Sequence, residues 1–87
     1  MGYKVVFTER VLKQLDKIPK EFRILLVEKI LTLKDFNPRF PNVKALKGEL
    51  SGYYRLRIGR FRAVFEVQNG IATIIVLTVD DRKDVYR

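Results

Sequence analysis

The sequence predicts an α+β fold: an N-terminal strand, an αα-hairpin, then a three-stranded antiparallel meander forming a small curved sheet with the helices packed on one face. Three observations predict it. Apolar residues recur at helical spacing between positions 11 and 33, and apolar and polar residues alternate from 53 to 67. An Asn-Gly pair at 69–70 then separates that alternation from a second β-rich run. At 87 residues, with 47% hydrophobic and 32% charged side chains, residues 1–87 read as one domain able to bury a modest core.

Tyr3 to Phe7, rich in β-branched and aromatic residues, reads as the first strand. Thr8 is placed to cap a helix in which Val11, Leu12, Leu15 and Ile18 share a face, and the Ile18-Pro19 step ends that helix. Pro19 suits the first turn of a second helix. There Phe22, Leu25, Leu26, Ile30 and Leu33 form an apolar stripe, widened by Ile24, Val27 and Leu31. The prolines at 38 and 41 make residues 37–42 a loop, and residues 43–52 form a further punctuated stretch.

The segment from Tyr53 to Val67 is the most informative. If Gly59-Arg60 is a two-residue type II′ turn, Ile58 faces Phe61, Leu56 faces Ala63 and Tyr54 faces Phe65, giving one apolar face. On the other face Arg57 lies opposite Arg62, with Arg55 and Tyr53 further along. Like charges directly opposite each other cost a sheet roughly 0.2–1 kcal/mol, so their presence points to an anionic ligand. Guanidinium groups bind phosphate in bidentate fashion, which makes phosphate the natural choice. A merely solvated basic face is the plain alternative. Six basic residues (Lys44, Lys47, Arg55, Arg57, Arg60, Arg62) against the single acidic Glu49 between positions 44 and 62 favour the ligand. A type I′ turn at Asn69-Gly70 would lead into a third strand, with Ile74 and Val76 on the apolar face and Ile75 and Leu77 on the face of Arg62.

The net charge of +8 implies a polyanionic partner, and the absence of Cys and His removes Cys–His and Ser–His nucleophilic catalysis and argues against a zinc site. No apolar run is long enough to span a bilayer, and the helices mix Glu and Asp with Lys and Arg, which argues against a membrane partner. Without a signal-like apolar block at the N-terminus, the expected location is the cytoplasm.

The order strand, two helices, Lys-Gly loop and Arg-rich hairpin resembles the RelE/ParE toxin superfamily. The phrases that carry the likeness are Leu46-Lys-Gly48, Tyr54-Arg-Leu-Arg-Ile-Gly59, Phe61-Arg62 and Arg82-Lys-Asp-Val-Tyr86. The resemblance covers the whole chain and looks closest to the RelE-type messenger-RNA interferases of toxin–antitoxin systems. It implies a toxin whose concave sheet face holds mRNA in the ribosomal A site, where the ribose 2′-hydroxyl attacks the adjacent phosphodiester without a metal or other cofactor. It also implies a cognate antitoxin as partner.

By motif position Arg55 and Arg57 match basic residues of the first hairpin strand, and Arg62 matches a phosphate-binding arginine. Arg82 matches a basic residue near the end of the last strand, and Tyr86 a terminal tyrosine that stacks on a base or assists proton transfer. Lys44 and Lys47, with Arg60, are the further RNA-binding candidates. Two departures stand out: Asp81 occupies a position where many relatives have His, and Arg55 one where others have Lys. Arginine stays protonated and is a poor base, which leaves Asp81 and Glu49 as candidates for that role. The alternatives are a RelE-like protein that binds RNA or the ribosome with little or no cleavage, and a ParE-like gyrase inhibitor acting through protein contact.

Overall fold

The computed structural model describes residues 2–48 and 52–81. Strand β1 (Lys4–Phe7) leads into helix α1 (Glu9–Asp16), and helix α2 (Lys20–Leu31) runs on into a 3₁₀ turn at Thr32–Asp35. Four more strands follow: β2 (Val43–Ala45), β3 (Tyr53–Ile58), β4 (Phe61–Gln68) and β5 (Thr73–Asp81). They build one sheet in the order β1-β5-β4-β3-β2, antiparallel except for the parallel pair β1–β5.

The helix boundaries follow their expected local chemistry. The Thr8 hydroxyl accepts from the Val11 amide at 3.2 Å and so satisfies one orphan donor of α1. Pro19 precedes α2 with φ −51°, and Arg23 Nη2 donates to the Ile18 carbonyl at 3.1 Å to close the turn between the helices. Both helices lie on one face of the sheet. Val11 and Leu15 of α1 and Leu26 and Ile30 of α2 are buried with Leu56, Phe61, Ala63, Phe65, Ile74, Val76 and Val79 from the strands. Phe36, just after the 3₁₀ turn, joins α2 to the sheet through ring contacts with Tyr54 (5.2 Å) and Phe65 (5.5 Å). Burying side chains of this size contributes about 1.5–3 kcal/mol each. The expected stripe on α2 is narrower than its composition suggests: Leu26 and Ile30 are fully buried, whereas Leu25, Ile24 and Leu31 are exposed.

The meander β3-β4-β5 matches the expectation, but two further strands extend it. β2 pairs with β3 over only three residues, too few to show a period of two. β1 completes the other edge beside β5. The β3–β4 register is the expected one, and Gly59 carries φ +58° as a type II′ turn requires.

The β4–β5 turn differs from the two-residue type I′ form. Residues Asn69–Ile71 make a 3₁₀ turn that ends with Ala72 in the left-handed region at φ 47°. The start of the chain accounts for this: Tyr3, just before β1, donates its hydroxyl hydrogen to Asn69 Oδ1 at 2.7 Å, and the Lys4 amide of β1 donates to the Ala72 carbonyl at 2.9 Å. With its side chain held this way, Asn69 does not adopt the positive φ of a type I′ turn. The connection is two residues longer, an even shift that leaves Ile74 and Val76 on the apolar face.

A bulge opposite Val64 and Phe65 then takes Leu77, expected on the face of Arg62, out of the ladder and puts Asp80 directly opposite Arg62. Among the described residues, the outer edge of β5 has no strand neighbour beyond Phe7. There the Gln14 side chain substitutes for one, accepting from the Val79 amide at 2.7 Å and donating to Thr78 Oγ1 at 2.9 Å.

Candidate nucleic-acid interface

Strand alternation separates the polar side chains of the hairpin from its core. Leu56 and Ile58 on β3 and Phe61 and Ala63 on β4 are buried against the helices, so Arg55, Arg57 and Arg62 project from the opposite face. Arg57 lies directly across from Arg62. Lys44 of β2 lies directly across from Arg55 and extends the same surface. Two like-charged cross-strand pairs thus sit side by side on three neighbouring strands.

Among the described residues, none of Lys44, Arg55, Arg57 and Arg62 makes an ion pair or side-chain hydrogen bond. Two carboxylates mark the rim: Asp80 across from Arg62, and Glu66 across from Tyr53. Between Lys44, Arg55 and Arg57 the surface dips into a hollow of about 250 Å³. A second hollow, of about 310 Å³, continues past Lys44 and Arg55 to Lys47. An open concavity lined by fixed cations binds the oxygens of a polyanion while leaving the rest of the ligand in solvent.

Two residues expected at this surface are placed elsewhere. Asp81 pairs across β4 with the buried Phe61, which turns it to the helix-bearing side of the sheet. There its Oδ2 lies 3.0 Å from Arg60 Nε. The Arg60 guanidinium also sits 5.2 Å from the ring centres of both Phe22 and Phe61. Arg60 therefore ties the β3–β4 turn to α2 and the end of β5, and does not join the other arginines. Asp81, held on that side, is not positioned to take a proton from a ligand lying across Arg62. Glu49, Arg82 and Tyr86 lie outside the described residues.

The comparisons with known proteins agree with this architecture. Residues 5–86 match the family model described as the ParE toxin of the type II toxin–antitoxin system parDE. The chain belongs to the RelE/ParE toxin superfamily. Toxin RelG of Mycobacterium tuberculosis is 32% identical over 88 residues, spanning 100% of this chain and 99% of that toxin. Among solved structures, a chain of the RelBE2 toxin–antitoxin complex from M. tuberculosis is 28% identical. It superposes with a TM-score of 0.83 over 94% of this chain and all of that one. The isolated Escherichia coli RelE toxin is 26% identical with a TM-score of 0.74, covering 98% of this chain and 92% of RelE. The two-helix, mixed-sheet arrangement is thus the RelE-like fold, and the arginine surface lies on the sheet face that its helices leave open. No helix among the described residues is long and apolar enough to cross a membrane.

Proposed function

We propose that residues 1–87 act as one RelE-type toxin domain, an endoribonuclease that cleaves mRNA in the ribosomal A site by metal-free attack of the 2′-hydroxyl on the adjacent phosphodiester. The observation that supports this most is the facing pair Arg57–Arg62 beside Lys44–Arg55 on one open side of the sheet. In-line attack at phosphorus builds charge on the equatorial oxygens, and a preorganised guanidinium cluster stabilises that charge. In this reading Arg55, Arg57 and Arg62 hold the scissile phosphate, while Lys44 and Lys47 steer the flanking backbone. Arg82 and Tyr86 take the roles that the family likeness gives them, and the ribosomal target puts the activity in the cytoplasm.

Primer extension on programmed ribosomes tests the proposal. The wild-type chain should leave discrete cuts within A-site codons, and Arg62→Ala should lower the single-turnover rate about 10²–10³-fold, as loss of one oxyanion donor typically does. Undiminished cutting by a folded Arg62→Ala variant would refute it. The absence of cuts by wild type, with ribosome binding retained, would favour a non-cleaving binder. The departures at Asp81 and Arg55 make that outcome meaningful.

The family model's ParE description supports a second reading, gyrase inhibition through protein contact. Loss of gyrase supercoiling in the presence of the purified chain would favour it. A cognate antitoxin is the expected partner in either case, as toxins of this fold from Pyrococcus horikoshii and E. coli are seen in complexes with RelB. Growth arrest on expression alone, relieved by co-expression of a neighbouring antitoxin gene, checks that pairing.

A further inference from the structure

The arginine face has ample charge to bind a phosphodiester, but among the described residues the motif pattern gives it no base. Arginine remains protonated at working pH and cannot accept the 2′-hydroxyl proton. The register of β5 supplies a base that the motif pattern does not reveal. Asp80 and Asp81 are neighbours in sequence, so strand alternation sends them to opposite sides of the sheet. Asp81 is committed to Arg60 on the helix-bearing side. Asp80 emerges on the arginine face, directly across from Arg62. Cross-strand neighbours have Cβ atoms about 4.5–5.5 Å apart, close enough to serve one ligand.

The bulge at Val64 and Phe65 is what sets this up. Continued without it, the β4–β5 ladder would put Val79 opposite Arg62 and leave the arginine without a carboxylate neighbour. The charged groups around Asp80 are Arg62 across the ladder, Arg57 on the strand beyond, Asp81 and Arg60 behind the sheet, and Lys17, just after α1, along the outer edge of β5. Among the described residues Asp80 forms no ion pair or hydrogen bond through its side chain, so its carboxylate is available to a ligand. Glu66 is the other described carboxylate on this face, but it lies four residues along β4 from Arg62, about 13 Å away at strand rise.

The geometry points to Asp80 as the general base of the cleavage reaction, an assignment that rests on reading the arginine face as a ribonuclease site. The Asp80 carboxylate removes the 2′-hydroxyl proton of a nucleotide whose 3′-phosphate is held by Arg57 and Arg62. The 2′-oxygen then forms a bond to phosphorus and the bond from phosphorus to the 5′-oxygen breaks. That oxygen leaves with a proton from solvent, giving a 2′,3′-cyclic phosphate and a 5′-hydroxyl. Asp80 finally returns its proton to water.

The test is single-turnover cleavage of ribosome-bound mRNA by wild type, Asp80→Asn, Asp80→Glu and Asp80→His, with ribosome affinity and thermal stability measured in parallel. Asp80→Asn should lose about a hundredfold or more in rate, the typical contribution of a positioned base. Its affinity should hold or tighten, because a negative charge has left a basic surface. Asp80→Glu should recover part of the rate. Asp80→His should cleave with a rate that climbs as pH passes about 6.5, where imidazole loses its proton.

A carboxylate that only offsets arginine repulsion predicts the opposite pattern: lower stability in Asp80→Asn, an unchanged rate, and no new pH dependence in Asp80→His. That pattern overturns the assignment while leaving the ribonuclease reading intact. Failure of the wild-type chain to cut overturns both.

Discussion

Arg57→Thr separates the cost of the arginine cluster from its purpose. Arg57 is exposed, faces Arg62 across the ladder, and lies two residues from Arg55 on the same side of β3. Threonine keeps the strand's β-branched character and removes both like-charge contacts while giving up little buried area. Relief of the facing pair should raise stability by about 0.2–1 kcal/mol. For a domain of this size that is a rise in Tm of roughly 1–8 °C.

The gain must also be electrostatic. Raising the salt from about 0.1 M to about 1 M shortens the screening length from about 10 Å to about 3 Å, so the Tm advantage should shrink at the higher concentration. Thermal unfolding of wild type and variant at both salts provides the measurement, with RNA affinity determined on the same preparations. The expected result is a more stable protein that binds RNA less well. A variant less stable than wild type, or a Tm gain indifferent to salt, would refute the view that the cluster is held against its own repulsion.

Two further consequences concern the scaffold. Arg60→Ala removes the ion pair to Asp81 and the contacts with Phe22 and Phe61, so stability should fall by about 1–2 kcal/mol. RNA affinity should change less than in Arg57→Thr, and a larger loss of affinity than in Arg57→Thr would put Arg60 back at the interface. Gln14→Ala leaves the Val79 amide without its partner at the open edge of β5, costing about 1–2 kcal/mol. Hydrogen exchange should quicken at Val79, and unchanged protection there would show that the side chain is not what closes that edge.

The parts of the fold that could be read from the sequence are those where local chemistry and tertiary packing agree. Thr8 caps α1, Gly59 takes the positive φ of its turn, and the alternation from Tyr53 to Phe65 sets the β3–β4 register because a one-residue slip would expose Leu56, Ala63 and Phe65. Where a distant element intervenes, local rules lose. Asn69-Gly70 is a strong type I′ signal, yet Tyr3 takes the Asn69 side chain and the turn lengthens. The three residues of β2 are too few to carry a period, so Lys44 could be flagged as basic but not aligned with Arg55.

The candidate site divides in the same way. Arg55, Arg57 and Arg62 were legible because period two alone puts them together. Asp80 was not, because its face depends on a bulge with no distinctive residue to announce it. Asp81 stands out by family position, whereas the structure places its carboxylate against Arg60.

If the exposed side of this sheet is built to lie against phosphates, the salt dependence of binding to a short single-stranded RNA reveals it most directly. Among the described residues, four strand cations, Lys44, Arg55, Arg57 and Arg62, share that side. At about 0.7 per neutralised phosphate, four contacts predict a log–log slope near −2.8, falling to about −2.1 in Arg57→Thr. A slope near zero, or one that Arg57→Thr leaves unchanged, would contradict a phosphate-binding face.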